Sequence, residues 1–403
     1  MIVLVLNAGS STLKFSLFES DGERLLGSGT ADWASSPARF SVCRTGQPEQ
    51  RTEADLRRHA DAVGWVLREL TAGDPPMLRS LSEIAAVGHR VVHGGDSYTA
   101  SVLVTPAVKA EIARLAELAP LHNPANLEGI VAAEAALPGV AQVACFDTAF
   151  HATIPEANRV YPLPHAWYAD RGLRRYGFHG LSHAYCAGRA AEMLGRRAGL
   201  RLVVCHLGNG CSASAVHDGK CVDTSMGFTP LEGLMMGTRS GSVDPGLLLY
   251  VLRQEGLTPD RLDGVLNHES GLLGVSGVSS DMRQVLAARK DGNPRARLAF
   301  DLFVHRVRKT VGALAAVLGG LDALVFTAGI GEHAAEVRAA ACDRLGFLGL
   351  QLDPAANNAC RPDADVAAAA SPGRILVIAT REDLMIVRET VQTIWRPDGK
   401  RGQ

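Results

Sequence analysis

Residues 2–18 read IVLVLNAGSSTLKFSLF, and this stretch predicts a β-hairpin. Ile2–Leu6 is an apolar run of β-branched and aliphatic residues that suits a buried strand. Asn7–Ser11 is a small polar turn, and residues 13–17 alternate apolar and polar side chains, the period of a strand with one solvated face. The turn gathers an amide, hydroxyls, a glycine backbone and the Lys14 ammonium, groups that can bind a phosphate. An ordinary hairpin with a serine-rich turn would give the same pattern.

The same pattern occurs again in the middle of the chain. Leu202–Leu207 is a second apolar strand, Gly208–Ala213 is a second small turn, and Ser214–Lys220 is a return strand that ends on an Asp-Gly turn. A third glycine-rich turn, Gly329–Glu332, follows the strand-like run 323–327. The repeated strand–turn–strand unit suggests a duplicated architecture in which each half offers one hairpin to phosphate.

Length, charge and cysteine content restrict the class of protein. A chain of 403 residues is too long for one ordinary core, so we expect two domains. With 41 basic and 42 acidic residues, the balanced charge argues against nucleic acid or an anionic membrane as the main partner. No apolar run is long enough to span a membrane, and no basic region precedes the first apolar run as in a secretory signal. The eight cysteines form no CxxC pair, which favours buried thiols in a reducing cytoplasm over disulfides or zinc ligands.

Charged and imidazole side chains gather in segments without apolar periodicity. Gly88–Gly95 carries Arg90 and two histidines, and the two-proline loop 119–126 carries His122 and two asparagines. Asp147 follows an apolar strand-like run, and the end of a buried strand is the commonest place for chemistry in α/β proteins. A capping or turn aspartate would give the same pattern.

Two further segments are candidates for a functional site. His179 and His183 stand four residues apart, the spacing of metal ligands on one face of a helix, but the Glu of an H-E-x-x-H motif is missing and no zinc site is predicted. The loop 223–246 is rich in Gly, Ser and Thr around Arg239, and a loop of this length is usually either functional or disordered. Its internal Phe, Leu and Met residues favour an ordered loop.

Periodicity along the rest of the chain predicts an α/β fold. Residues 32–53 are polar and rich in turn formers, and we expect a surface connection there. Asn126 is expected to cap a helix that ends at Leu137. The predicted helices cover 54–70, 106–118, 247–253, 262–267, 298–318, 332–345 and 380–395. One more helix is predicted to begin in the segment 174–183 and to run to about Arg197. The predicted strands cover 84–87, 140–146 and 374–379.

A nicotinamide dehydrogenase is the alternative from a different class of protein. G-x-G-x-x-A matches begin at Gly208 and at Gly329. The first precedes a strand-like alternation instead of the helix that dinucleotide binding needs. The second lies between a strand and a helix, with an acid further on at Asp353, but it comes near the C-terminus and no second βαβ unit follows it.

A set of segments, in order along the whole chain, resembles the acetokinase family, the acetate kinases. These segments are Asn7–Lys14, Gly88–Gly95, Ala119–Pro124, Phe146–His151, Tyr176–Gly180, His206–Gly210, Gly237–Gly241 and Phe326–Glu332. The motifs are long and unusual. Propionate and butyrate kinases share parts of the pattern, whereas the Arg239 loop and the chain length favour the acetate branch.

The resemblance implies an ATP:carboxylate phosphotransferase of the actin, sugar kinase and hsp70 superfamily, with duplicated ribonuclease H-like α/β domains. It implies a first lobe of residues 1–148 plus 382–403, a nucleotide-binding lobe of residues 149–381, and ATP in a cleft between them. It also implies ATP/ADP and Mg²⁺ (or Mn²⁺) as cofactors, acetate as the small-molecule substrate, a homodimer and a cytoplasmic location.

The resemblance also implies catalytic roles. Phosphoryl transfer needs positioning and neutralisation of charge more than covalent help. Arg90 would hold the acetate carboxylate, and Arg239 with His179 would stabilise the transferring phosphoryl group, since a planar guanidinium binds such anions bidentately. An ionised carboxylate nucleophile has no proton to give up, so we expect Asp147 to position magnesium-bound water instead of acting as a general base. His122 corresponds to a supporting active-site histidine, with a loop histidine bonded to backbone as the alternative.

Ligand contacts follow from the same resemblance. Asn7 and Glu382 correspond to magnesium ligands. The methyl pocket corresponds to Val92, Leu121, Phe178 and Pro230. The residues expected to hold the phosphates are Ser10, Thr12, Lys14, His206, Leu207, Gly208, Asn209 and Gly210. Those expected to hold the nucleoside are Asp281, Met282, Arg283, Gly329, Ile330, Gly331, Glu332 and His333. The chain departs from the family pattern at His333, where Asn is usual, and at Arg381, which places a cation beside Glu382.

Overall fold

The computed structural model describes residues 1–34, 36–54, 56, 58–120 and 122–395. The strands in this part of the chain are β1 (Ile2–Ala8), β2 (Thr12–Glu19), β3 (Arg24–Asp32), β4 (Ala38–Arg44), β5 (Gln50–Ala54), β6 (Ile84–Val91), β7 (Val102–Leu103), β8 (Ala141–Phe146), β9 (Arg201–Leu207), β10 (Cys211–His217), β11 (Lys220–Thr224), β12 (Ala323–Thr327), β13 (Ala364–Asp365) and β14 (Arg374–Val377). The α-helices are α1 (His59–Thr71), α2 (Pro106–Arg114), α3 (Asn123–Ala136), α4 (Glu156–Arg159), α5 (His165–Arg171), α6 (Gly180–Met193), α7 (Pro245–Glu255), α8 (Pro259–His268), α9 (Gly271–Ser276), α10 (Met282–Lys290), α11 (Pro294–Val317), α12 (Ala328–His333), α13 (Ala335–Cys342), α14 (Pro354–Asn358) and α15 (Glu382–Ile394).

The chain divides into two compact units. Unit 1 comprises Met1–Ala149 together with the segment that begins at Arg381, and unit 2 comprises Phe150–Thr380. Each unit has its own sheet and its own buried apolar residues. The mixed α/β class predicted from the sequence is confirmed.

The sheet of unit 1 has the order β5-β4-β3-β2-β1-β6-β8-β7. β1 and β2 form the predicted antiparallel hairpin, with Ile2 opposite Glu19 and Ala8 opposite Leu13, while β6 is parallel to both β1 and β8. Helix α15 packs on β1, β6 and β8. A Cβ atom added to Gly88 of β6 would lie 2.4 Å from Thr390 Oγ1, so a glycine is needed for α15 to approach the sheet this closely.

Several expectations for unit 1 are wrong. Residues 32–53 are not a surface connection, because they contain strands β4 and β5, and Phe40 and Val42 of β4 are buried. Since β5 continues to Ala54, helix α1 begins only at His59. Strand β6 continues to Val91, beyond the predicted 84–87. α2 ends at Arg114, where a 3₁₀ turn over residues 115–117 replaces the predicted last α-helical turn.

The sheet of unit 2 has the order β11-β10-β9-β12-β14-β13. β9 and β10 form the second predicted hairpin, antiparallel with Leu207 opposite Cys211, and β12 is parallel to β9 and β14. The long amphipathic helix predicted over 298–318 is α11, which begins earlier, at Pro294. α6 ends at Met193, short of the predicted Arg197.

The third glycine-rich segment is not a turn. Helix α12 follows β12 without a gap, and Gly329 and Gly331 lie inside it. The predicted helix 332–345 is divided between α12 and α13, which meet at Ala334. The dinucleotide-binding geometry of a dehydrogenase is therefore missing at Gly329, and at Gly208 the strand leads into a hairpin.

Cysteine placement largely follows the expectation. All eight cysteines are free, and six of them are buried, whereas Cys43 is exposed and Cys360 is partly buried. Among the described residues, no helix combines the length and apolar character that a membrane span requires.

Candidate active site

Arg90 and Asp147 form an ion pair in unit 1. Arg90 lies near the end of β6, Asp147 directly follows β8, and these two strands are parallel neighbours, so their carboxyl ends lie side by side. Asp147 Oδ2 is 2.6 Å from Arg90 Nη2, and Oδ1 is 3.1 Å from Nε. Because the Asp147 side chain is 1% exposed, this two-point contact fixes the plane of the guanidinium.

The Arg90 guanidinium remains charged, and some of its N–H groups are not used by the described residues. Burial alone would lower the pKa of Arg90, but the carboxylates of Asp147 and Glu382 raise it above its ordinary value. Within the described part of the chain, its Nη1 has no hydrogen-bond partner. Arg90 is therefore a fixed cation with one edge held by Asp147 and another edge open to an anion such as a carboxylate.

Glu382 is the first residue of α15 and lies within electrostatic reach of this ion pair. Burial raises the pKa of its carboxyl group; Arg90 opposes that rise and Asp147 adds to it. No side chain or backbone group among the described residues donates a hydrogen bond to the Glu382 carboxylate. An ionised Glu382 thus has unused oxygen lone pairs, which a divalent cation would occupy.

The groups around Glu382 suit magnesium. Asn7 and Lys14 are opposite each other in the first hairpin, and the Lys14 charge acts on Glu382. Mg²⁺ is commonly bound by one or two carboxylates, with water and substrate phosphates completing its shell. In the described ranges, no three His, Cys, Asp or Glu side chains converge as a metal-binding group. An ion bound by Glu382 would therefore take most of its ligands from water and from a phosphate substrate, and Asn7 remains the predicted second protein ligand.

Arg381 does not neutralise Glu382. Arg381 is exposed, and the groups that shift the pKa of Glu382 after burial are Arg90, Asp147, Lys14 and Asp383. The pKa of Glu23 is lowered chiefly by its hydrogen bond from Arg388, and Arg381 makes a smaller contribution there. The cation that departs from the family pattern thus contributes to the pKa shift of Glu23 and not to that of Glu382.

Asn126 connects two parts of the unit 1 site, which the sequence did not indicate. It lies inside α3, which begins at Asn123, so the prediction that Asn126 caps this helix is wrong. Its Oδ1 accepts a hydrogen bond from Val92 N–H at 3.0 Å, and its Nδ2 donates to the Ala8 carbonyl at 2.6 Å. This buried amide fixes the backbone of Val92, a residue of the predicted methyl pocket.

Helix α1 contacts the turn between β1 and β2 and helps to fix its conformation. A hydrogen bond from Gly9 N–H to the Thr12 carbonyl, 2.7 Å long, closes the turn. His59 of α1 places Nε2 2.8 Å from the Gly9 carbonyl oxygen and Nδ1 2.7 Å from Glu128 Oε2. Ser10 and Lys14, which were predicted to bind phosphate, are exposed at or beside this turn, and Thr12 is partly buried.

His179 occupies a strained position in unit 2. It precedes α6 with φ 58° and ψ 26°, the left-handed region that non-glycine residues rarely adopt. Its Nδ1 is 2.9 Å from Ser212 Oγ, and its ring stacks on His206 with centroids 4.2 Å apart. The neighbouring Ser182 Oγ is 2.8 Å from His206 Nδ1. The His179 imidazole is thus held by the Ser212 hydroxyl group and by the His206 ring.

Arg239 converges with His179 on Gly210. An ideal Cβ atom on Gly210 would lie 3.3 Å from His179 Nε2 and 3.7 Å from Arg239 Nη1. Arg239 is partly buried, burial lowers its pKa, and within the described residues it has no carboxylate partner. Among the described residues, its Nη1 donates to the Pro230 carbonyl at 3.2 Å and makes one further, long contact to the Met236 sulfur. A cation in this environment is suited to an incoming anion.

The loop that carries Arg239 is ordered, as predicted. Arg175 donates to the carbonyls of Ser225 and Met226 and forms an ion pair with Glu232 at 2.9 Å. Gly237 N–H donates to the Asn209 carbonyl at 2.9 Å, which connects the loop to the β9–β10 turn. These contacts explain how a long segment of small residues keeps one guanidinium in place.

A cavity of about 580 Å³ in unit 2 gathers many of the residues that were predicted to hold the nucleoside. Its walls come from the β9–β10 turn, the start of α10 and helix α12. The lining residues are Gly208, Asn209, Ser280, Asp281, Met282, Arg283, Leu286, Gly329, Ile330, His333 and Ala334. Asp281 and Arg283 form an ion pair of 2.6 Å at its edge, and His333 is exposed.

Some predicted nucleotide contacts lie outside that lining. Gly331 is buried against Phe326. Glu332 uses Oε1 to accept hydrogen bonds from Ala328 N–H and Thr380 N–H, both at 2.9 Å, so it connects the start of α12 to the end of unit 2. Leu207 is fully buried in β9.

The residues that were predicted to form the methyl pocket are divided between the two units of the chain. Val92 belongs to unit 1 and is 8% exposed, whereas Phe178 belongs to unit 2 and is 2% exposed. Pro230, also in unit 2, is partly buried. Leu121 lies outside the described residues. His122 directly precedes α3 and makes no side-chain capping bond to that helix.

Comparison with known proteins gives one consistent family. Residues 2–388 match the model of the Acetokinase family. The acetate kinase of Gloeobacter violaceus is 53% identical over 407 residues, covering 98% of this chain and 100% of that protein. That of Nostoc sp. is 51% identical, covering 96% of this chain and 98% of its own.

Solved structures agree with the sequence comparison. The Porphyromonas gingivalis acetate kinase superposes with a TM-score of 0.93 at 42% identity, covering 98% of this chain and 99% of that chain. A propionate kinase from Francisella tularensis superposes with a TM-score of 0.91 at 39% identity, covering 97% and 99%. The expected two-domain, actin-like fold is confirmed, and the dehydrogenase interpretation is wrong.

Proposed function

The chain belongs to the acetokinase family, and on this premise we propose that it transfers a phosphoryl group reversibly from ATP to acetate, giving acetyl phosphate and ADP. Acetate is bound by residues of unit 1 and ATP by residues of unit 2. The observation that carries the proposal is the convergence of His179 and Arg239 on Gly210. A phosphoryl group suits this position. The guanidinium is partly buried and has no acid partner among the described residues, and beside it lie an imidazole edge and a residue without a side chain.

Unit 1 supplies the acceptor site. Acetate binds through its carboxylate to the open edge of Arg90, and Asp147 holds the opposite edge so that the guanidinium does not rotate away. Val92, fixed by Asn126, contacts the methyl group. Acetate is ionised at neutral pH and attacks without losing a proton, so Asp147 is a positioning residue and no general base is required.

Unit 2 supplies the phosphoryl site. Arg239 and His179 donate to the oxygens of the transferring group, whose negative charge is spread over three positions in the transition state. The donors are held before the reaction, Arg239 by its ordered loop and His179 by Ser212 and the His206 ring. Fixed donors in a partly buried site lower the barrier because they need no rearrangement when charge moves.

The nucleoside and the metal have their own residues. We assign the adenosine to the cavity of about 580 Å³ and the phosphates to the β9–β10 turn, which forms part of its wall. Glu382 and Asn7 would hold Mg²⁺, which would neutralise phosphate charge there. Mn²⁺ has the same preference for oxygen ligands and can replace it.

Trapping of the product tests the proposal. The enzyme is incubated with ATP, Mg²⁺, hydroxylamine and a series of short carboxylic acids, and hydroxamate is measured. We expect hydroxamate with acetate and a lower yield with propionate, since a pocket rejects one added methylene by only about 1–3 kcal/mol. No hydroxamate with any acid would contradict the proposal, and a higher kcat/KM for propionate would assign the chain to that substrate instead.

We also propose that the enzyme is a homodimer. Helix α7 buries none of its residues, and Leu247, Leu249 and Tyr250 are 52%, 50% and 62% exposed. Exposed apolar residues in one helix are typical of an interface. Tyr250→Glu should give a monomer in analytical ultracentrifugation, whereas Phe347→Glu, at a residue 78% exposed elsewhere in unit 2, should not. The free cysteines support a cytoplasmic location.

A further inference from the structure

Ser212 joins two histidines in the interior of unit 2. Its hydroxyl oxygen is 2.9 Å from His179 Nδ1 and 2.7 Å from His183 Nε2. Ser212 and His183 are both fully buried. A hydroxyl group has one proton, so it can donate to at most one of these two nitrogens and must accept a hydrogen bond from at least one of them. The protonation of one ring is therefore coupled to that of the other.

His183 is neutral in this environment. Burial lowers its pKa well below the ordinary value, and the nearby His151 and His206 lower it further. A neutral imidazole carries its proton on one nitrogen only. Because Nδ1 of His183 is buried and has no hydrogen-bond partner, a proton on that nitrogen would be an orphaned N–H, which is rare in protein interiors. The proton therefore belongs on Nε2, where Ser212 accepts it.

The direction of the remaining hydrogen bond follows from this. Since Ser212 accepts from His183 Nε2–H, and no other acceptor lies within hydrogen-bond distance of its hydroxyl group among the described residues, its own proton points to His179 Nδ1. His179 Nδ1 must then be the acceptor, and the proton of a neutral His179 is on Nε2. This is the nitrogen that lies beside Gly210, the residue that Arg239 Nη1 also approaches.

We propose that His183, acting through the buried Ser212 hydroxyl, is a positioning residue that fixes the His179 proton on Nε2, so that His179 presents a donor to the phosphoryl oxygens. The inference rests on the proposed function for the role of that donor, but the tautomer itself does not depend on it. With the opposite tautomer, His179 would present a lone pair to an anion, which is repulsive.

The tautomer can be measured directly in the enzyme without substrates. Two-bond ¹H–¹⁵N correlation spectra of the ¹⁵N-histidine-labelled protein at pH 8 separate protonated from unprotonated ring nitrogens, and His179→Gln identifies the His179 signals. We expect a single tautomer with the proton on Nε2. A proton on Nδ1 in the wild-type enzyme would overturn the proposal.

Matched variants test the path through Ser212. His183→Gln keeps an N–H donor near the position of Nε2 and should retain the His179 tautomer, whereas His183→Leu and Ser212→Ala should give a mixture. The two disruptive variants should also lower kcat about 10- to 100-fold, the worth of one hydrogen bond to a charged group, with the KM for ATP nearly unchanged. An unchanged tautomer in both of them would overturn the relay, even if either variant is less stable. If the tautomer responds as expected but His179→Gln keeps full kcat, the relay stands and the proposed role of His179 in catalysis fails.

Discussion

The carboxylate of Asp147 holds the guanidinium of Arg90 through two hydrogen bonds, with Oδ2 2.6 Å from Nη2 and Oδ1 3.1 Å from Nε. The two residues were expected to act separately, Arg90 on acetate and Asp147 on metal-bound water. Their contact makes the role of one dependent on the other, because Asp147 fixes the orientation in which Arg90 meets its anion.

Replacing Arg90 with alanine should raise the KM for acetate by about 10- to 100-fold or more, since at least one charge-assisted hydrogen bond to the substrate is lost. It should also lower the free energy of unfolding by about 3–5 kcal/mol, because Asp147 would remain buried without its partner. Initial rates with varied acetate and urea unfolding measure the two effects.

The double variant Arg90→Ala/Asp147→Asn separates the effect on acetate binding from the effect on stability. It removes the unpaired charge, so it should recover most of the lost stability and none of the acetate affinity. A KM for acetate that stays at the wild-type value in Arg90→Ala would make Arg90 a purely structural residue.

Replacing Arg239 with alanine should lower kcat by about 10²–10³-fold, the usual cost of removing one transition-state donor. The KM for ATP should change far less, because the charge that Arg239 meets develops mainly in the transition state. Steady-state kinetics with varied ATP measures both constants. Arg253, an exposed arginine of α7, is the matched control, and its alanine variant should behave like the wild type. If Arg239→Ala kept its kcat, the phosphoryl site would have to be placed elsewhere.

Local sequence patterns predicted the parts of the fold that depend on periodicity. The two hairpins were correctly predicted from apolar runs followed by small turns, and β8 from its continuous apolar run. Strand β4 was missed although Ala38, Phe40 and Val42 alternate inward, because Pro37 before it and the turn formers after it resemble a loop. Tertiary packing of Phe40 on Trp65, with centroids 4.5 Å apart, decides this strand.

The candidate site was only partly predictable, because the residues that hold its side chains in place are distant from them in the sequence. Motif resemblance predicted roles for Arg90, Asp147, His179 and Arg239, which follow strands or lie in glycine-rich segments. The residues that hold them in place are distant in sequence: Ser212 is 33 positions from His179, and Asn126 is 34 from Val92. No local period connects such pairs, so only the folded chain reveals them.

Replacing Asn126 with alanine should lower the free energy of unfolding by about 2–5 kcal/mol, because the Val92 N–H and the Ala8 carbonyl each lose a buried partner. The KM for acetate should rise as Val92 moves, while the KM for ATP should not. Urea unfolding and acetate kinetics test this. Asn267→Ala removes an amide that bonds Asp263 at an exposed position and should change stability by less than about 0.5 kcal/mol. Equal stabilities of the Asn126 and Asn267 variants would show that the buried bridge contributes nothing.

His89 gives the enzyme a predictable sensitivity to acid. It is 2% exposed in β6, and its Nε2 donates to Gln142 Oε1 at 2.7 Å. Burial lowers its pKa from the ordinary 6.5 to about 4, and the hydrogen bond to Gln142 only partly opposes that effect. The folded protein therefore binds this proton less readily than the unfolded chain does.

The sign follows from linkage: the His89 contribution to stability is present above pH 6.5 and is lost as the pH falls towards 4. A shift of this size corresponds to about 3 kcal/mol between those limits. We expect the free energy of unfolding of unit 1, followed by the fluorescence of Trp65 in urea titrations, to fall less steeply with acid in His89→Gln than in the wild type. His305→Gln, at an exposed histidine, should leave the slope unchanged. Parallel pH profiles for the wild type and His89→Gln would mean that His89 becomes protonated inside the folded protein without cost, and the neutral, buried state assigned to it would be wrong.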